Sequence, residues 1–534
     1  MNSSHAGMTA TQPVRTTTRR RNWPAVLLAL LALALIGIAL WQLIVPGLPL
    51  RFEERRLGST PVTIIQPRIL VTRTPAVVIA HGFAASQQMM LPYAVTLARA
   101  GYTVLIFDLP GHGRNSEPLR ADIADREGRY RQLHATLTDV VALAHERGNG
   151  DVGLLGHSLG SELVTRYAME QEDIAAVVGV SLVYEGTTAT SPANLLVLTG
   201  GFEAALRPIA QAIADESADG NGESGVIYGD FAAGTARRVV FVPNVEHIGV
   251  LFSPVALAAA LEWLQQAMPL PDGGSGEIYI DDRILWLALL YGGSILLFWP
   301  LSGIVDRVHT PVAPERRRAG RTWWWVSILL PIAVTPVALR LLPLEGLLPI
   351  LVGGPLAAFF AIYGLASLLG LLIYRWRGPA VQWPQRAGVK LPIMLAGALL
   401  MVGYVLLSNG LPAQFFVLNY FPPPLRLPIF GLVWLAMLPY FLADEWLTRA
   451  PGAPRGGYVI SKIAMLTALA LAIALNLNQL FFLILIAPLL LGYFIVYGMY
   501  SGWMYRRSGL TLIGALANSV IFAWIIAVTF PLVA

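Results

Sequence analysis

The 534-residue chain has no cysteine. That excludes disulfides, thiolate nucleophiles and cysteine-ligated metal centres, and it leaves the redox compartment open. Charge is scarce too. Only 13% of residues are charged against 55% apolar, a balance that excludes a single soluble globule. Histidine is rare, with eight in the chain and none after His309. What charge exists is segregated. Residues 51–282 hold 16 basic and 27 acidic side chains, whereas residues 283–534 hold 17 basic and 5 acidic. An acidic soluble segment therefore lies between apolar segments with basic ends, and no nucleic-acid partner is implied.

The first apolar run, Pro24 to Val45, carries no charge and is long enough to cross a bilayer as a helix. Arg15 and Arg19 to Arg21 precede it, Trp23 and Trp41 flank it, and no small-x-small cleavage pattern follows it. It reads as an uncleaved anchor. Eight further runs follow near residues 285–305, 323–342, 347–374, 391–408, 428–446, 459–475, 480–500 and 510–533. Alternate connecting loops collect fourteen basic residues, from Arg307 to Arg507, while the other set offers only Arg426. Positive loops stay inside. The expected organisation is a cytoplasmic basic tail (1–23), an anchor (24–45), an extracytoplasmic domain (51–270), a linker (271–284) and an eight-helix membrane domain (285–534). A cell-membrane location follows, with the lipid bilayer as the first partner.

Within the soluble segment, buried-strand patterns such as "PAVVIAHG", "YTVLIFDLPGHG" and "IAAVVGVSLV" alternate with amphipathic helices. That alternation predicts an α/β fold with a doubly wound, mostly parallel sheet. Function in such sheets gathers at the carboxyl ends of the strands. "DVGLLG" runs directly into "HSLGSELVTRYAME", so Gly156, His157, Ser158, Leu159 and Gly160 fall between a strand and a helix. There the glycines permit a sharp turn that lifts the Ser158 hydroxyl clear of the backbone.

Over residues 62–268 the segment resembles the α/β-hydrolase family. The resemblance rests on "HGFAAS", "DLPGHGRNS", "GHSLG" and a late histidine, in that order. It implies a serine nucleophile at Ser158, a base at His247, and an acid at Glu203 in "GGFE" where the family has Gly-x-x-Asp. Asp230 and Glu185 are the other candidate acids. The oxyanion hole would use the backbone N–H groups of Phe83 and Leu159. His81, His112 and His157 are expected to shape loops rather than react. Such chemistry needs no metal and no cofactor. Only "VYEGTTATSPA" lies where the family inserts a cap, so no substantial lid is encoded. The loop "LPAQFFVLNYFPPPLRLP", apolar and aromatic, is a candidate docking surface that could act with the bilayer as the lid.

In the membrane half, Asp444, Glu445 and Arg449 form the one charged cluster, with Glu445 and Arg449 spaced to pair on one helix face. Charges at an inner helix end are expected to reach cytoplasmic water. "DEWLTR" and "YRRSGLTLIGALANSVIFAW" distantly resemble the CPBP family of CAAX-protease-like intramembrane peptidases. Asn518 matches that family's asparagine, but Gly514 stands at its histidine, so a scaffold is expected rather than a protease. The whole chain then reads as a membrane-anchored serine esterase, lipase-like, acting on apolar acyl esters. The alternatives are a silent hydrolase fold serving a transporter or scaffold, or an acyltransferase using the same acyl-enzyme. Neither the acyl chain nor the oligomeric state is encoded legibly.

The sidedness has a direct test, which the absence of native cysteine makes clean. Ser275→Cys and Asn409→Cys should react with an impermeant maleimide on intact cells. Ala319→Cys should react only after lysis, and the reverse pattern would invert the topology.

Overall fold

The structure is a computed structural model describing residues 23–69, 72–120, 125–271, 278–305, 321–344, 346–377, 391–450 and 453–534. The basic tail up to residue 22, residues 272–277 of the expected linker, and the labelling positions Ser275 and Ala319 lie outside the described residues.

A nine-stranded sheet forms the soluble half. Its strands are β1 (Leu50–Leu57), β2 (Thr60–Pro67), β3 (Ala76–Ala80), β4 (Thr103–Phe107), β5 (Val152–His157), β6 (Ile174–Val180), β7 (Leu195–Gly200), β8 (Ile227–Tyr228) and β9 (Arg237–Val242). The spatial order is β1-β2-β4-β3-β5-β6-β7-β9-β8. The six strands from β4 to β9 in that order are parallel, and antiparallel β1, β2 and β8 close the edges. Strands β3, β4, β5 and β7 are buried at every position. Helices on both faces remove them from water, as continuous Val/Ile/Leu runs require. Edge strand β1, "LRFEERRL", is instead mostly exposed and charged, which discourages pairing with another chain.

Helices α1 (Trp23–Ile44), α2 (Leu91–Ala100), α3 (Arg126–Arg147), α4 (Leu159–Glu170), α5 (Arg207–Ser217) and α6 (Pro254–Ala267) precede the membrane half. There follow α7 (Arg283–Ser302), α8 (Arg321–Leu341), α9 (Gly353–Arg377), α10 (Leu391–Val405) and the short α11 (Leu411–Phe416). The series ends with α12 (Leu427–Arg449), α13 (Gly457–Leu475), α14 (Leu477–Leu480), α15 (Leu483–Ser508) and α16 (Thr511–Thr529). Among the described residues nine helical segments are long and apolar enough to cross a membrane, one of them at the N-terminal end. A π-helical turn, Leu406–Gly410, joins α10 to α11 into one such segment.

The soluble domain is fixed to the helices at several points. α1 packs against α7, so both chain entries into the domain stand side by side. The end of the expected linker is docked: Asp281 N–H donates to Thr96 Oγ1 (3.1 Å), and the buried Asp281–Arg283 ion pair (2.7 Å) abuts Leu91 of α2.

The last span is shorter than its hydropathy suggests. α16 stops at Thr529, and Phe530 is extended because the following Pro531 disfavours a helical predecessor. Residues 530–534 then run between the two halves. Leu532 N–H donates to Gly111 C=O, Leu119 N–H to Leu532 C=O (both 2.8 Å), and Val533 N–H to Pro349 C=O (3.1 Å). Arg426 is almost fully buried beside this tail. Its guanidinium donates to the carbonyls of Ala527, Phe530 and Gly111, each at 2.7 Å. Every docking segment just named belongs to the end of the bundle that the loop charges assign to the outside.

Candidate active site

The nucleophile candidate sits on a strained turn. β5 ends at His157, α4 begins at Leu159, and Ser158 between them has φ 53° and ψ −116°. A side chain at Gly156 would collide with the backbone of Gly160, and one at Gly160 with the carbonyls of Ala80 and His81. The two glycines are therefore required by close approach, and the strain falls on the serine.

Three side chains converge at the carboxyl ends of β5, β7 and β9. His247 Nε2 lies 3.0 Å from Ser158 Oγ, and His247 Nδ1 lies 2.6 Å from Glu203 Oε1. Glu203 is buried, and its second oxygen accepts from Ser181 Oγ (2.9 Å) and Gly200 N–H (2.5 Å). A carboxylate held by two donors is fixed in rotamer. It can then accept only from Nδ1–H, which leaves Nε2 as the acceptor facing Ser158. Asp230 and Glu185 are exposed and stand apart from this chain of bonds; Asp230 caps Ala233 N–H instead.

His157 has a supporting part. Its Nε2–H donates to the His247 carbonyl (2.9 Å), and the two rings lie 4.8 Å apart. The base is thus held by its side chain through Glu203 and by its backbone through His157. Sequence reasoning missed Ser181, whereas His157 was expected to hydrogen-bond backbone and does so at the His247 carbonyl. For Ser181 the one available signal was a non-glycine residue just beyond a buried strand.

The expected oxyanion residues occupy adjoining loops. A side chain at Gly82 would meet His157 Nδ1 at 2.7 Å, so the loop after β3 lies directly on the elbow. The Ala85 N–H bonds to Gly82 C=O (3.4 Å), a turn that does not use the Phe83 N–H. Leu159 opens α4, where the first amides have no partner within the helix. Amides at a helix start favour negative charge.

Residues 75–203 match the family model for the alpha/beta hydrolase fold. With the sheet order above, this defines the soluble half as an α/β-hydrolase fold; the match spans the loop after β3, the turn at Ser158 and Glu203. No curated protein matches the chain. Similar solved structures include a dienelactone hydrolase from Anabaena variabilis, 18% identical, covering 41% of this chain and 99% of its own (TM-score 0.32). Est1E from Butyrivibrio proteoclasticus, solved with ferulic acid, is 16% identical over 40% of this chain and 98% of its own (TM-score 0.32). A soluble variant of the Saccharomyces cerevisiae monoglyceride lipase is 11% identical over 41% and 96% (TM-score 0.30).

The charged cluster of the membrane half is separate and buried, contrary to the expectation that it reaches water. Asp444 pairs with Lys462 (2.6 Å) and accepts from Ser461 Oγ (2.7 Å); Glu445 pairs with Arg449 (2.7 Å) across one helical turn. The reason is a partner the sequence reading had placed in a loop: Lys462 lies inside α13 and neutralises Asp444 away from solvent. Asn518 Nδ2 reaches Glu445 Oε1 at 3.4 Å, and a side chain at Gly514 would touch the same carboxylate.

Two outcomes follow. Glu445→Gln breaks a buried pair and should destabilise the membrane half by about 3–5 kcal/mol. Thermal unfolding in detergent would show this, while the Ser158 site, at the opposite end of the bundle, keeps its reactivity at 25 °C. The second outcome concerns acid. Burial pushes the pKa of His81 and His112 down, and that of His157 down to about 3 from 6.5. A histidine neutral when folded and protonated when unfolded favours unfolding as pH falls. The contribution of His157 is therefore intact above pH 6.5 and drains away between 6.5 and about 3. His157→Gln should flatten the fall of the unfolding midpoint across that window, by up to about 1.4 kcal/mol per pH unit.

Proposed function

We propose that the protein is a membrane-anchored serine esterase of lipase-like character, with its soluble domain outside the cytoplasm. The observation that carries this reading is the continuous hydrogen-bond chain from Ser158 through His247 to Glu203. In the proposed cycle, Ser158 Oγ attacks the ester carbonyl carbon and its proton passes to His247 Nε2. The carbonyl oxygen takes the developing charge against the N–H groups of Phe83 and Leu159. The tetrahedral adduct collapses, and the alcohol leaves with the proton from His247. Water then attacks the acyl-enzyme, giving its proton to His247, and the acid departs as the proton returns to Ser158.

An apolar acyl substrate is supported by what surrounds the triad. Phe202, beside the acid, and Ile248, beside the base, are both exposed. Phe481 is exposed on the adjoining membrane loop, and the neighbouring Phe482 stacks on Phe83. The soluble domain supplies no cap between β6 and β7, so the outer helix ends and the bilayer surface serve as the cover. In the membrane half the Glu445–Asn518 contact is compatible with descent from a CPBP-like scaffold. Among the described residues no histidine lies near Glu445 to activate water, so we assign that half no peptidase chemistry.

A fluorophosphonate should label wild-type protein at Ser158, and Ser158→Ala and His247→Ala should each lose labelling and ester turnover. Glu203→Gln should lower turnover by up to about 10⁴-fold through loss of the correct tautomer. Absence of labelling in the wild type would favour a silent fold. Transfer to an added alcohol in preference to water would reassign the enzyme as an acyltransferase.

A further inference from the structure

The triad is assembled wholly by the soluble half, but the oxyanion loop is not. Ser158, His247 and Glu203 take their supports from Val180, His157, Ser181 and Gly200, all within the sheet domain. The loop from Gly82 to Ser86 faces the other way. The Phe83 ring stacks on Phe482, at the start of α15, with centroids 5.1 Å apart and planes 29° off parallel. Its other contact is the edge of His112, at 5.9 Å. Ala84, at φ 56°, packs against the hydrophobic core of the membrane half. Ser86 Oγ, itself buried, accepts the N–H of buried Asn419 from the α11–α12 loop at 2.8 Å and donates to Gln88 Oε1 at 2.7 Å.

We propose that the membrane half positions the oxyanion loop, with Phe482 as a positioning residue that holds Phe83 so that its N–H meets the developing oxyanion. This rests on the esterase reading and adds to it a division of labour. Nucleophile and base are set by one half, and transition-state stabilisation is completed by the other. The physical basis is the left-handed conformation at Ala84, which a side-chain-bearing residue holds only when its surroundings fix it. Here the surroundings include three contacts made by helices and loops of the membrane half. A displaced oxyanion donor affects the transition state more than the bound substrate, so its loss is read in kcat rather than KM.

The test uses full-length protein in nanodiscs with a short-chain p-nitrophenyl ester that needs no acyl groove. Phe482→Ala should lower kcat about 10- to 100-fold, part of the 10²–10³ that removing an oxyanion donor costs. KM and the pH profile of kcat/KM should hold, and affinity for a trifluoromethyl ketone analogue should fall in parallel with kcat/KM. Phe482→Tyr, which keeps the ring, should restore the rate. Ser86→Ala, which removes the acceptor for Asn419 N–H, should lower kcat in the same manner. Hydrogen exchange gives a reading independent of turnover: in Phe482→Ala, residues 82–86 should exchange faster while residues 152–160 do not change. Unchanged kcat and unchanged exchange in both Phe482→Ala and Ser86→Ala would overturn the proposal. So would an effect confined to KM for long-chain esters, which would make Phe482 a wall of the acyl pocket. Persistent turnover in Ser158→Ala would instead sink the esterase reading, leaving the exchange result to decide the loop's dependence on the membrane half.

Discussion

Arg426 sits among apolar helices with its charge satisfied by three carbonyl oxygens. Two of them, on Ala527 and Phe530, belong to the end of α16, where the helix dipole is negative; the third is on Gly111 in the soluble domain. Its two terminal nitrogens are met by these carbonyls while Nε has no hydrogen-bond partner, and because burial makes each of those three bonds costly to lose, the contact fixes all three backbone segments relative to one another. Around it the rest of the junction follows. The tail from Phe530 pairs with Gly111 and Leu119 on one side and with Pro349 on the other. His112, next to Gly111, presents its edge to Phe83, and Phe83 heads the loop that covers the elbow. The path from Arg426 to Ser158 is a short series of packed groups.

The site itself uses burial selectively. Glu203 is sequestered with two donors on its far oxygen, while His247 keeps partial access to solvent and Ser158 is half-buried. The Glu203 carboxylate is held in place by its surroundings, and the His247 ring stays open to solvent on one side. Burial lowers the pKa of His81, His112 and His157, which favours the neutral form of each.

Much of this was legible in the sequence because it is local. The strand–turn–helix around Ser158, the alternation of buried strands and amphipathic helices, and the four-residue spacing of Glu445 and Arg449 are patterns within one or two elements. Glu203 and His247 were reached through their order along the chain, since nothing local to either residue brings it to Ser158. What sequence reading lost was long-range. Arg426 looked like a stray loop charge, and its value depends on carbonyls about a hundred and three hundred residues away. Lys462 counted as a cytoplasmic-loop cation until its pairing with Asp444 placed it inside a helix bundle. Residues 530–534 continued an apolar run, and hydropathy cannot distinguish a helix from an extended strip between two domains.

The chain order of the junction has a consequence for biosynthesis. The soluble domain emerges from the ribosome early and can assemble its sheet and triad as a unit, since domains generally fold as they are made. Asn419, Phe482 and the tail from Phe530 come much later, after most of the helices. A nascent molecule with Ser158, His247 and Glu203 already in contact still lacks the supports of residues 82–86 until α15 is inserted and the tail has docked. On the proposed reading, maturation of the site is thereby tied to completion of the membrane half, and a chain stalled or misinserted partway leaves Ser158, His247 and Glu203 aligned beneath an unsupported loop.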